Sequence, residues 1–496
     1  MKYSLRFPFV FMQAVLHKEF VGAESDKLLG ATMAMDSSKI EFDAGLVRRF
    51  DRSGPRYTSY PTADRFAAGF DAAAYAAWAG RRSIGGAERP LALYVHLPFC
   101  RDVCFYCACN KIVTRNASKA AQYLEYLARE IDLQAALFSD DRRIVQMHWG
   151  GGTPTFHDIE DLRALFSRLA ERFDFSPRGE YSIEVDPRTV DAAAVHALRE
   201  MGFNRVSFGV QDFDPKVQVA VHRLQSEQQT CGAIASAREA GFESVNVDLI
   251  YGLPKQTPAS FNDTLARILK LRPDRVAVYN YAHLPQIFKP QRRIPDGDLP
   301  SPETRLELLG LAIRQMEAAG YVYLGMDHFA LPGDALAVAQ RQGRMHRSFQ
   351  GYSTIADADL VGLAVSAIGA IGPTYSQNHR ALEDYYRELD GGRLPVMRGI
   401  ELSADDLVRR SVIQALMCNF ALSKQALEVA YLVDFDSTFS VELAELREFE
   451  GLGLVTLKDD WLGVTAKGRF LVRSICMVFD RYLRVGRDGP RYSRVV

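Results

Sequence analysis

Cysteine is scarce in this chain: seven in 496 residues, an odd count with no sign of a disulfide framework. That shortage fits a reducing interior. Long hydrophobic runs are missing too. None reaches the ~18 residues of a membrane helix, so no membrane span is expected. Neither sign of charge is in excess: 60 basic residues face 61 acidic ones, a formal net charge of −1. Such a balance gives no general pull toward nucleic acid or an acidic membrane face. Any acidic ligand must be held by local cations. There is no second CxxC and no HxxxH downstream of residue 110, which removes the paired-ligand pattern of a structural zinc site.

What is present is the composition of a globular protein, 48% hydrophobic and 24% charged, at a length that predicts a large domain plus a smaller one. The first residues, "MKYSLRFPFVFMQAVLHKEF", are basic and then apolar from Phe7 to Leu16. They lack a small-residue cleavage site, and His17-Lys18-Glu19 interrupts the run. Residues 1–34 read as an upstream extension of the reading frame, with Met33 and Met35 as alternative starts, or as a weak targeting peptide. Residues 35–90 carry "SGPRYTSYPTADRF" (53–66), an extended segment without helical period.

From residue 91 the pattern alternates. Apolar, β-branched runs at 91–97, 144–149, 181–186, 203–210, 244–250 and 275–280 are separated by segments of helical period, among them 119–137, 158–173, 190–201, 226–240 and 258–270. Six strand-helix units in series predict an α/β fold, a parallel sheet curled into a full or partial (β/α)6 barrel over 91–345. In such folds chemistry gathers at the C-terminal strand ends, and each unusual stretch falls there: the cysteine cluster, "GGGTPT" (150–155), Glu184 and Asp186, "VQDF" (210–213), Asp248 and "NYAHLP" (280–285). Residues 346–496 read as a mostly helical C-terminal domain. Its helices are expected at 403–420, 425–431 and 438–449, followed by a winged-helix-like hairpin and helix over 453–472.

Four of the seven cysteines lie in "FCRDVCFYCACN" (99–110): Cys100, Cys104, Cys107 and Cys109. Thiolates suit zinc, Cu(I) or iron-sulfur clusters. One tight loop would cramp four of them around a single tetrahedral ion, and a redox CxxC pair would leave two unexplained. The spacing C-x3-C-x2-C can instead hold three irons of a 4Fe-4S cube and leave the fourth open. Taken alone, the triple glycine is either a tight turn or a close backbone approach to a ligand. Glu184 is either a solvated strand end or a carboxylate for a ribose. Gln211, Arg223 and Asp248 read equally as ordinary polar loop residues or as ligands. His96, His148, His283 and His328 flank strand ends and read as packed or hydrogen-bonded side chains.

The C-x3-C-x2-C spacing with an aromatic before its third cysteine, followed by "GGGTP", resembles the radical S-adenosylmethionine superfamily. More narrowly, "GPRYTSYPTA", "YVHLPFCRDVCFYCACNKIVTR", "HWGGGTPT", "SIEVDPR", "GFNRVSFGVQDF", "DLIYGLPKQT", "YNYAHLP", "GMDHFA", "HRSFQGY" and "VTAKGR" together resemble the oxygen-independent coproporphyrinogen III oxidases, from about residue 40 to the C-terminus. The resemblance implies a radical enzyme of heme biosynthesis that turns two propionates of coproporphyrinogen III into vinyl groups. It implies one 4Fe-4S cluster on Cys100, Cys104 and Cys107 and two S-adenosylmethionine molecules. Tyr94, Gly151, Glu184 and Ile368 would hold the cluster-bound one. Tyr106, Gly152, Thr153, Gln211, Arg223, Asp248 and Ala282 would contact the second. The order Phe105-Tyr106 departs from the Tyr-Phe that also occurs in the family, a swap that a backbone or stacking contact survives. An adenosyl radical would take a hydrogen from the propionate β-carbon, and loss of one electron and CO2 would leave the vinyl group.

For the substrate's four carboxylates the candidate cations are Arg56, Lys111, Arg115 and Lys255. The segment 53–62 would fold over the barrel mouth. A low-potential electron donor of flavodoxin or ferredoxin type, a monomeric state and a cytoplasmic location are implied as well. A heme-binding or heme-transfer relative is the alternative; such proteins typically lack the "PRYTSYP" segment and the fourth cysteine, both present here. Cys109 is not needed as a ligand and either acts near the second cofactor or packs.

Overall fold

The structure, a computed structural model, describes residues 40–50, 52–82, 89–138, 142–356 and 358–484. The expected extension 1–34 lies outside them. Six strands run parallel and pair in chain order: β1 (Leu91–Leu97), β2 (Arg143–Gly151), β3 (Asp174–Val185), β4 (Arg205–Gln211), β5 (Ser244–Tyr251) and β6 (Arg275–Asn280). The period of two decides which face is which. On one face Leu93, Val95, Met147, Trp149, Ile183, Phe208, Val247 and Val276 are buried against the helices Ala117–Leu137, Ile159–Arg172, Ala192–Glu200, Glu227–Glu239 and Pro258–Leu271. The opposite face carries His96, Gly150, Glu184, Gly209, Asp248 and Tyr279 near the strands' C-terminal ends. An apolar filling there would close the barrel as a packed core; polar side chains leave room for a ligand.

The sheet does not close on itself. Beyond β6 it continues antiparallel with β7 (Val322–Gly325) and β8 (His328–Ala330), β8 lying next to β6. At the other edge β9 (Asp359–Leu363) pairs parallel to β1. The sheet therefore reaches past residue 345, and the stretch 346–401 is built mainly of strands, with one helix at Leu382–Asp390. These strands are two to six residues long, too short to impose a readable period. The helical reading holds further on, with helices at Ala404–Asn419, Lys424–Tyr431 and Ser440–Gly451. The expected hairpin is Val455–Leu457 with Trp461–Val464, joined by a third strand, Ala421–Ser423, and followed by the helix Val472–Val478. Ser403 and Asp406 start the first of these helices with a reciprocal capping box.

The N-terminal segment lies against this C-terminal region. Tyr57 and Tyr60 are 2% and 1% exposed. The Tyr57 hydroxyl donates to Asp480 at 3.0 Å, and Arg473 donates to the carbonyls of Gly54 and Pro55. Among the described residues no helix is long and apolar enough to cross a membrane.

Candidate active site

The turn after β1 carries the cysteines. Phe99–Cys100 pairs with Ile112–Val113, which closes the cysteine loop at its base. Within it the Lys111 ammonium donates to the Cys107 carbonyl at 3.0 Å. All four thiols are free and line one cavity of about 490 Å³. The neighbouring Cys109, and then the Lys111 charge, draw the Cys107 thiol down to about 6. Cys107 in turn raises the Cys109 thiol. Burial pushes Cys100 up to about 11, although Thr153 lies 3.6 Å from its sulfur.

The triple glycine fills the space beside the cysteines with backbone alone. A Cβ on Gly152 would stand 2.4 Å from the Pro98 carbonyl oxygen, and one on Gly150 would stand 2.9 Å from the Glu184 carboxyl. Gly151 has φ +120, and a Cβ there would sit 2.7 Å from the His96 ring. Close approach, and not merely a turn, is what these positions require. The Gly151 amide donates to Glu184 Oε2 at 3.2 Å and His148 Nε2 lies 3.3 Å from Oε1. Burial would raise Glu184, but these contacts outweigh it and hold the carboxyl below its usual range.

Across the cavity Asp248 accepts from Ser207 and Asn246, each at 2.9 Å. Burial and then the Glu184 charge push it up to about 6. Arg223, 7% exposed, donates to Asp186 at 3.0 Å and to the Gly209 carbonyl at 2.6 Å, and its Nη1 lies 3.7 Å from the Cys104 sulfur. Its Nε is buried without a partner. Arg188 forks onto the same Asp186, so two guanidiniums hold that carboxyl low against its burial.

The cavity thus brings together Cys100, Cys104, Cys107, Tyr106, Gly151, Gly152, Thr153, Glu184, Gln211, Arg223, Asp248 and Lys111. Three expected residues lie just outside its lining. Tyr94 bonds His96 at 3.0 Å and stacks on His148. The Ile368 backbone crosses Gly362 of β9, the partner of Tyr94 in register. Ala282 is tied to the cysteine loop through Gln291, which is 1% exposed and donates to the carbonyls of both Tyr106 and Ala282. Arg56 is not among the lining residues, but its guanidinium lies 5.9 Å from the ring of Tyr279, which is, and 3.5 Å from Asp327. Arg115 and Lys255 do not line the cavity; Arg115 pairs with Asp102, itself at the lining, and Lys255 pairs with Asp298. His96, His148, His283 and His328 are each hydrogen-bonded at both ring nitrogens.

Sequence reasoning passed over Tyr279, Asp186 as a bridge between arginines, and Gln291. Tyr279 has a legible signal, being the inward member of the alternation Arg275, Ala277, Tyr279 on β6. Gln291 has none, since its contact with the cysteine loop crosses 185 positions of chain.

The residues present suit a cluster and a nucleoside cofactor: three free soft thiols, a cradle any Cβ would fill, and carboxylates at strand ends. Residues 94–268 match the Radical SAM superfamily, and residues 402–471 match the HemN C-terminal domain. An oxygen-independent coproporphyrinogen III oxidase of Pseudomonas aeruginosa is 49% identical over 92% of this chain and 99% of its own. The Escherichia coli K12 protein of the same name is 48% identical over 93% and 100%. The solved structure of coproporphyrinogen III oxidase (HemN) from Escherichia coli, described as a radical SAM enzyme, superposes with a TM-score of 0.85 at 48% identity, covering 90% of this chain and all of that one.

Proposed function

The chain belongs to the oxygen-independent coproporphyrinogen III oxidases, within the radical S-adenosylmethionine superfamily, and from that premise we propose how its own residues carry the reaction. It oxidatively decarboxylates two propionates of coproporphyrinogen III to vinyl groups without O2. The observation that carries this reading is the single cavity in which three free cysteines, the glycine cradle, Glu184 and Asp248 converge at the C-terminal ends of the strands.

A 4Fe-4S cluster on Cys100, Cys104 and Cys107, when bound, supplies the electron that splits S-adenosylmethionine and the hydrogen-abstracting radical that results. The chain's part is to bind and orient. The ionised Glu184, held toward the cavity by Gly151 and His148, suits a pair of ribose hydroxyls. The glycine backbone can lie against the methionine end of the cofactor. Asp248, Gln211 and Arg223, on neighbouring strand ends, form a second group of contacts. They support a second S-adenosylmethionine, with Gly152, Thr153, Tyr106 and Ala282 beside it. Of the expected cations, Lys111 lines the cavity and Arg56 lies over the Tyr279 ring, and these two would meet the substrate's carboxylates. The electron donor is of flavodoxin or ferredoxin type, the protein acts in the cytoplasm, and it works as a monomer. No observation favours a heme-transfer role.

The test is anaerobic reconstitution with coproporphyrinogen III, product analysis by mass, and a count of deoxyadenosine. We expect two deoxyadenosines per protoporphyrinogen IX. Tight heme binding with no protoporphyrinogen formed would overturn the reading.

A further inference from the structure

Arg347 is a buried cation that enters no ion pair among the described residues. Arg347 is 5% exposed, and its Nε and Nη1 have no hydrogen-bond partner. Its backbone is fixed from both sides by Gln414, whose side chain accepts from the Arg347 amide at 3.2 Å and donates to its carbonyl at 2.8 Å. The guanidinium lies 4.6 Å over the Tyr352 ring. A cation–π contact returns only part of what burying an unpaired charge costs. A fold that keeps such a group leaves the balance to a ligand.

The surroundings say which ligand. Tyr352 packs edge-on against His328, and the Tyr279 hydroxyl lies 3.4 Å from His328 Nε2. Tyr279 also lines the cofactor cavity beside Asp248, and Arg56 lies over its ring. Arg56 thus lies over the Tyr279 ring and Arg347 lies behind it, one layer back through Tyr352 and His328, with both charges acting on Tyr279; the one carboxylate in an ion pair with either, among the described residues, is Asp327 with Arg56. The hairpin that carries Arg347 is fixed: Gln350 donates to the Leu93 carbonyl of β1, and Thr354 donates to Glu180 of β3. A planar guanidinium carried on a fixed hairpin suits a carboxylate fork.

We propose that Arg347, with Arg56 beside it, receives a propionate carboxylate of the tetrapyrrole at the Tyr279 end of the cavity. This rests on the functional reading above and names a contact that reading lacks. Arg347 is here a substrate-binding residue whose charge is matched only when substrate is present.

The test uses the cluster-loaded protein under argon, with coproporphyrin III as a fluorescent tetracarboxylate probe and its tetramethyl ester as the uncharged control. Arg347→Met should weaken binding of the acid by about tenfold or more and leave the ester as it was. It should keep or raise the unfolding temperature without porphyrin, because it removes an uncompensated charge, and Arg347→Lys should restore part of the acid's affinity. Acid affinity in Arg347→Met within about twofold of wild type would overturn the proposal. So would a fall in unfolding temperature with acid and ester weakened alike, which is what a structural arginine gives. A wild-type protein that binds neither form and makes no protoporphyrinogen overturns the functional reading itself.

Discussion

At the scale of single residues, two side chains two positions apart have different fates. Cys107 carries a lowered thiol and Cys109 a raised one, but burial raises Cys100 as well, so it is the C-x3-C-x2-C spacing, and not titration, that sets Cys109 apart from the three expected ligands. Replacing Cys100, Cys104 or Cys107 by Ser should empty the cluster, while Cys109→Ser should leave iron and sulfide near the wild-type content. Metal analysis with the visible absorption of the reconstituted protein checks this. Asp248 supplies a second prediction, in pH. Its carboxyl titrates at about 6 because burial and the Glu184 charge oppose ionisation. S-adenosylmethionine brings positive charge, which the ionised form attracts. Affinity at the Asp248 side should therefore be full above pH 7 and fall as pH drops through about 6, by roughly tenfold or more, the loss expected for a hydrogen bond to a charged group. Since binding favours the anion, the midpoint in the complex lies below that of the free protein. Calorimetric titration across pH 5–8 measures it, and Asp248→Asn should give a flat profile at the weak end.

At the scale of elements, the glycine turn after β2 shows what the sequence can and cannot carry. A Cβ on Gly152 would meet backbone, the carbonyl of Pro98, at 2.4 Å, and backbone cannot rotate away. Gly152→Ala should therefore cost about 1–3 kcal/mol by overpacking and displace the cysteine loop. We expect a lower denaturation midpoint together with weaker S-adenosylmethionine binding. Unchanged values for both would show that the loop tolerates the methyl. The turn was legible because three consecutive glycines after an apolar run admit few readings, and so were the six parallel strands, apolar runs six to twelve residues long. The strands between 346 and 401 were not, because runs of two to six residues carry too few periods to stand out. Asp186 was legible as a strand end, but not as the anchor of Arg223, since that pairing spans 37 positions and only the curl of the sheet sets it. Arg347 lay inside the stretch "HRSFQGY", but nothing in the sequence set it apart from other arginines until its burial was known.

At the scale of the whole molecule, the C-terminal region holds the N-terminal segment, and the segment reaches the barrel. Tyr57 donates to Asp480, Arg473 holds the carbonyls of residues 54 and 55, Arg65 donates to the Tyr482 carbonyl, and the rings of Phe50 and Phe449 meet at 4.9 Å. Between Pro55 and Tyr57, Arg56 alone extends to Tyr279 at the cavity. The two outer parts of the chain thus act together on the barrel: one presents a cation, and the other fixes the backbone that presents it. Tyr57→Phe isolates this coupling. It keeps the ring and removes one buried hydrogen bond, leaving the Asp480 oxygen without that donor, at about 1–3 kcal/mol. Tyr57 lies far from the cysteine loop in contact and in chain, so cluster content should stay at the wild-type level. Proteolysis within residues 52–62 should quicken, and KM for coproporphyrinogen III should rise severalfold with kcat less affected, because the loss falls on the presentation of Arg56. If protease sensitivity rises while KM does not move, the segment is a structural strap and Arg56 has no part in binding. If neither changes, the Tyr57–Asp480 contact does not restrain the segment.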